Sequence, residues 1–144
     1  MSDENKLSKE SAQKELEKFY DYYEIETEDF EKVDGDDDES RANKAIQRMQ
    51  LKILKGLMKG KISFKEDDGG FIIVLHKKAG DTLEFKELDG FAKAEMSKKK
   101  SSDEYGRIFA LTGKMCGLGE HAVKKLKGPE LSLVEAIGTT LLMG

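Results

Sequence analysis

What the chain lacks narrows it first. It has a single cysteine among its 144 residues, Cys116, so no disulfide can close within it, as suits a reducing cytoplasm. The only proline is Pro129, which leaves most segments free to be regular structure. The two histidines, His76 and His121, stand in different segments, and neither belongs to a metal-ligand spacing. The longest unbroken apolar run, Phe71 to Leu75, is five residues, against the roughly 20 that a membrane-spanning helix needs. The opening MSDENKLSKES is polar and acidic, with no apolar stretch of the kind a secretory signal carries. These absences predict a soluble, cytoplasmic protein with no membrane association.

Charge is what the chain has in quantity. Charged and apolar residues each make up 38%, so the core is modest and the surface heavily charged. The net charge of −4 conceals a division. Residues 1–40 carry sixteen acidic and five basic side chains, and residues 41–144 carry thirteen acidic and twenty basic. An acidic segment of −11 therefore precedes a body of +7, and each can meet a different partner or shield the other.

Periodicity predicts an α+β fold, mainly helical, with a small antiparallel β-hairpin packed against a C-terminal helical module. Residues 1–39 read as an acidic N-terminal helix and arm, and 40–144 as one globular domain. Ser8 caps a first helix over 8–23, in which Ala12, Leu16, Phe19, Tyr20 and Tyr23 keep helical spacing. Its aromatic cluster either docks on the body or awaits a partner, and Phe19 and Tyr23 are candidate contacts. Glu24 to Glu39 holds ten acidic residues and one lysine, which predicts a linker or extended arm. Its aspartates fail as a calcium loop, because the sixth position is Glu39 rather than glycine and the twelfth is Ala45.

A basic amphipathic helix is expected over 40–59, opened by Ser40. Arg41, Lys44, Arg48 and Lys52 on one side, with Met49, Leu57 and Met58 on the apolar stripe, are candidate partner-binding residues. The period then changes to alternation. Ile62 and Phe64, the Asp67-Asp68-Gly69-Gly70 turn and the run from Phe71 predict the hairpin over 61–77. Its second strand is apolar on both faces and needs helices over it. His76 is expected to be exposed and without a partner. Leu83 to Met96 reads as a strand end passing into a helix over about 84–97, with Asp81 or Thr82 as its cap. The module over 102–143 follows as three short helices, with apolar faces Tyr105/Ile108/Leu111/Met115, Leu118/Ala122/Val123/Leu126 and Leu131/Val134/Ile137/Leu141. Gly106 and Gly113 each weaken its first helix by about 1 kcal/mol of propensity.

No catalytic constellation, metal site or cofactor motif emerges. A Cys116–His121 pair is conceivable, but the intervening segment makes Cys116 a small core residue. Gly117-Leu118-Gly119-Glu120 is a helix–helix turn without the pattern of a phosphate loop.

One resemblance gives the chain a more specific expectation. Residues 72–81 (IIVLHKKAGD), 107–118 (RIFALTGKMCGL), 123–126 (VKKL) and the closing apolar helix 131–143 resemble, in order and spacing, the tail assembly chaperones of tailed bacteriophages, contractile-tailed ones in particular. The likeness implies a non-enzymatic chaperone, encoded by a phage or prophage and acting in the host cytoplasm. It implies binding of the tape measure protein and tail tube protein during tail morphogenesis. Met49, Met58, Met96, Met115 and Met143 would supply adaptable apolar contacts for such a role, and a homo-oligomer is compatible with it. The alternative is a small nucleic-acid-associated regulator whose acidic arm masks a basic body. Against it, the second and third helices of the module offer few base-reading side chains, so nucleic acid is disfavoured.

Overall fold

The computed structural model describes residues 6–68 and 70–143. Residues 1–5 of the acidic segment, Gly69 of the expected turn, Gly144 and the Asp29 and Met143 side chains lie outside the described residues. The fold is α+β and mainly helical. Its elements run α1 (Lys9–Tyr22), a 3-10 turn (Thr27–Phe30), α2 (Asp38–Met58), β1 (Ile62–Asp67), β2 (Gly70–His76), β3 (Thr82–Phe85), α3 (Gly90–Ser97), α4 (Glu104–Cys116), α5 (Glu120–Lys124) and α6 (Gly128–Met143).

The sheet has three antiparallel strands in the order β1-β2-β3, one more than the expected hairpin. Four residues suffice for β3 because Leu83 and Phe85 bury on one face while Thr82 pairs with His76 and Phe85 with Ile73. The expected helix over about 84–97 is corrected accordingly. It begins at Gly90, where the Asp89 carboxylate accepts the Ala92 N–H at 2.9 Å. One face of the sheet, formed by Ile62, Phe71, Ile73, Leu75, Leu83 and Phe85, joins the main core. Ile72 and Val74 point the other way and are also buried. Lys65 on β1 and Glu84 on β3 are in register with them and pair at 3.1 Å, so their side chains must pass over β2.

His76 differs from expectation. Ser63 Oγ lies 2.8 Å from its Nε2 across the β1–β2 ladder, and the ring is half-buried. Burial pulls its pKa below the ordinary value. We therefore expect the imidazole to titrate with a midpoint below about 6.5. The folded state then binds this proton less readily than the unfolded chain. The associated stability is full above that pH and is lost as pH falls through the folded value. NMR titration of the imidazole protons checks this, and a midpoint at or above 6.5 contradicts it.

α1 belongs to the same core as the rest, so the expected boundary at residue 39 does not divide the molecule. Ala12, Leu16, Phe19, Tyr20 and Ile25 are all buried, and Phe19 stands within 5.4–5.9 Å, centroid to centroid, of Tyr20, Tyr23, Phe64 and Phe71. The helix ends with Ile25 N–H donating to Tyr20 O and Glu24 N–H to Asp21 O, a Schellman closure. Glu24 holds the left-handed position, at φ 55°, that glycine normally fills.

The acidic arm is likewise corrected from linker to docked segment. Asn43 and Gln47 on α2 donate to the carbonyls of Lys32 and Phe30 at 2.9 and 2.7 Å. Lys32 pairs with Asp37 and Glu39. Asp37, not Ser40, caps α2; Ser40 sits buried in its first turn and donates its N–H to Asp37 Oδ1 at 2.9 Å. Hydrogen bonding from Ser40, whose N–H donates to it, and from Lys32 holds that carboxyl well below the usual aspartate range.

α6 is the helix on which α2, α4 and α5 all pack, burying Leu133, Val134, Ala136, Ile137 and Leu141. Two expected apolar faces are incomplete. Tyr105 is 63% exposed at the start of α4, lying against Phe109, and Leu118 is 65% exposed between α4 and α5. Leu118 projects because Gly117 and Gly119 on either side take φ of 76° and 88°, turning the chain too sharply for it to fold inward.

Candidate protein-binding surface

α2 positions the most distinctive surface. At 100° per residue, Arg41, Lys44, Arg48, Lys52, Lys55 and Lys59 fall within about 80° of arc on one face. All six are exposed. Arg41 pairs with Asp38; among the described residues no carboxylate lies within ion-pair distance of the other five. Asn43 and Gln47, which hold the acidic arm, project roughly 100–140° away around the helix. The arm is therefore fastened beside the cationic row rather than across it.

The row ends in a larger basic pole. The carboxyl end of α2, the start of β1, the end of β2 and the start of α6 meet at one end of the molecule. Lys61 N–H bonds to Gly56 O, His76 N–H to Lys61 O, and Lys78 N–H to Glu130 Oε2 at 2.8 Å. Lys52, Lys55, Lys59 and Lys61 line a cleft of about 170 Å³ with Pro129, Ser132 and Leu133. Lys77, Lys125 and Lys127 line a further cleft of about 470 Å³ together with Leu118, His121, Ala122 and Leu126. Glu130 and Asp81 are the carboxylates nearest to this group in the contacts described, Asp81 pairing with Lys77 at 3.5 Å. Exposed Leu118 gives the pole an apolar point among its ammonium groups.

The opposite end carries most of the carboxylates, with Arg41 and Lys44 of the row beside them. α1 ends there, where Tyr22 hydroxyl meets Glu87, and α2 begins there. The β1–β2 turn brings Glu66, Asp67 and Asp68 to the same end, with Glu87 and Gly70 in close approach. α2 itself spans about 31 Å between the two ends.

The sequence-predicted residues divide between surface and core. Arg41, Lys44, Arg48 and Lys52 are exposed on the cationic row. Met49 and Met58 are half-buried against the core. Phe19 and Leu57 are fully buried and are corrected from surface candidates to core, because apolar periodicity marks both roles alike. Tyr23 is half-buried, its hydroxyl accepting the Leu88 N–H at 3.3 Å. Lys55 and Lys59 were within reach of helical spacing. Lys61, Lys77, Lys125 and Lys127 were not, because only tertiary folding gathers them.

Other chemistry is sparse. The largest cleft described, about 510 Å³, is bordered by Glu95, Lys98, Lys99, Lys114 and Glu120, whose opposite charges pair as Lys98–Glu95 and Lys99–Glu120. Cys116 Sγ donates to Gly113 O at 3.3 Å rather than to His121, and burial pushes its thiol pKa up, away from a nucleophile's range. Among the described residues no three His, Cys, Asp or Glu side chains are grouped to hold a metal ion, and no helix is long and apolar enough to cross a membrane. Comparison with protein-family models, curated proteins and solved structures finds no match to this chain.

Proposed function

We propose that this protein is a non-enzymatic tail assembly chaperone, acting by stoichiometric binding to the tape measure protein in the host cytoplasm. The observation that carries the reading is the exposed cationic row of α2, whose members after Arg41 have no carboxylate within ion-pair distance among the described residues, running into a basic pole where Leu118 is exposed. A long apolar helical protein prone to aggregation would need apolar contact to stay soluble, and cations would suit any acidic side chains beside its apolar ones. A row of cations beside an apolar point engages both without chemistry. The stretches that resemble the chaperones fall on β2 and the turn after it, α4, α5 and α6. The resemblance therefore rests on the framework, and the α2 row is this chain's own addition to it.

Co-expression with the tape measure protein encoded in the same gene neighbourhood tests the proposal. The wild-type chain is expected to raise the soluble fraction of that protein several-fold. Reversing Arg48, Lys52 and Lys55 to glutamate is expected to abolish most of the gain while the fold persists. A neighbourhood without tail genes, or a soluble fraction unmoved by the wild-type chain, would end the proposal.

A nucleic-acid reading has one observation in its favour, since the arm leaves the row open. Six cations on duplex phosphates would give log K against log salt a slope of about −5. Fluorescence anisotropy with a labelled duplex at about 50 mM salt decides it, and absence of binding there removes it.

A further inference from the structure

We propose that the basic pole is a docking site for the acidic end of a second copy of this chain, giving a head-to-tail, salt-sensitive self-association. The inference goes beyond the chaperone proposal and does not depend on which protein is the client.

The argument rests on where the charges stand. The chain carries −11 over residues 1–40 and +7 over residues 41–144, which suggests internal neutralisation. Folding prevents most of it. The acidic arm is tied to α2 by Asn43 and Gln47 on the side turned from the lysine row. Its lysine, Lys32, is already satisfied by Asp37 and Glu39. The hairpin turn adds Glu66 and Asp68 to the acidic end, while β1 begins and β2 ends among the lysines. The two poles stand about 31 Å apart along α2, several times the screening length of about 8 Å at physiological salt. They cannot neutralise each other within one molecule. Between molecules they can.

The surfaces suit such a contact in kind as well as sign. Lys55, Lys59, Lys61, Lys125 and Lys127 have no carboxylate within ion-pair distance among the described residues, so no internal pair must break. Leu118, 65% exposed beside the Lys77–Lys127 cleft, supplies an apolar contact ringed by charge, the usual plan of a protein interface. The contact joins two different patches, so it is heterologous, and successive copies add in one direction.

Sedimentation equilibrium of the full chain is the test. At about 50 mM salt the weight-average mass is expected to rise with concentration above the monomer's 16.2 kDa, and to return to it at about 500 mM, where screening is severe. Two variants give the decisive result. One carries Lys55→Glu, Lys59→Glu and Lys127→Glu; the other carries Glu31→Lys, Asp34→Lys and Asp36→Lys, all exposed positions. Each alone is expected to stay monomeric, its two ends now alike in charge, and their equimolar mixture to associate again, since each end then meets one of opposite sign. Glutamine in place of each reversed charge, with circular dichroism as a check on folding, separates lost association from lost structure. A wild-type chain that stays monomeric at low salt and high concentration overturns the proposal. So does association indifferent to salt, or a mixture of folded variants that fails to pair. A monomer that instead binds the labelled duplex assigns the pole to nucleic acid and overturns it equally.

Discussion

Phe19→Ala is expected to remove about 3–5 kcal/mol of stability, the cost of truncating a fully buried aromatic. That is a large part of the 5–15 kcal/mol that a domain of this kind has. Phe19 is 0% exposed and touches rings on α1, β1 and β2, namely Tyr20, Tyr23, Phe64 and Phe71. With Tyr22 and Tyr23, whose rings also meet Phe71, it carries the contact of α1 with the sheet. Truncation leaves a void that those rings cannot all close, since Phe71 is itself 1% exposed and Tyr23 is held by Leu88. Urea unfolding measures the loss, and hydrogen exchange shows whether α1 opens ahead of the sheet. The companion Phe91→Ala, at a ring 73% exposed, is expected to change stability by less than about 1 kcal/mol, because it gives up only a solvent-facing contact with Lys114 at 6.0 Å. Equal effects from the two would refute the placement of α1.

Much of this fold is written in local pattern. Ser8 caps α1 where expected, accepting the Ser11 N–H at 3.1 Å, and the Asp67–Gly70 turn closes the hairpin in the register that buries Ile62 against Leu75. These elements are legible because their causes lie within a few residues. β3 was less so. Thr82 to Phe85 is too short to display a period, and it becomes a strand only because β2 offers a free edge. Phe91, Tyr105 and Leu118 mislead in the other direction. Each fits a helical apolar face, yet each faces solvent, because spacing assigns a residue to a face and only packing decides whether that face is covered.

The candidate surface was half legible for the same reason. The row Arg41 to Lys52 follows from α2 alone. Its extension into a pole requires that Lys61, Lys77 and Lys127 be neighbours, and the bonds that make them so join residues far apart in sequence, such as Lys78 with Glu130. The acidic arm is a clear example of composition pointing the wrong way. Ten carboxylates in sixteen residues argue for an unattached segment, but Ile25 and Phe30 pack on the core and two side-chain amides of α2 hold its backbone. A few specific contacts outweigh a general repulsion that salt already screens.

Gly113→Ala is the substitution for which propensity and structure predict opposite signs. In an exposed helix interior the change gains about 1 kcal/mol. Here an added Cβ would lie 2.4 Å from Glu120 N, 2.5 Å from Gly119 C and 2.6 Å from Glu120 Cα. All three are backbone atoms, so no side-chain rotation relieves the clash. The approach is fixed from both sides. Gly119 N–H donates to Gly113 O at 3.0 Å, Cys116 Sγ donates to the same oxygen, and Val123 anchors α5 at 0% exposure. Admitting a methyl group means lifting α5 off α4. We expect a net loss of about 2–3 kcal/mol, at the upper end for overpacking, with hydrogen exchange in α5 accelerated before that in α6. Gly90→Ala is the counterpart, because nothing lies within 4 Å of its added Cβ at the first turn of α3. That change is expected to stabilise by up to about 1 kcal/mol. Thermal unfolding of the two variants against wild type reads both signs at once. If Gly113→Ala proves as stabilising as Gly90→Ala, the close contact between α4 and α5 is wrong.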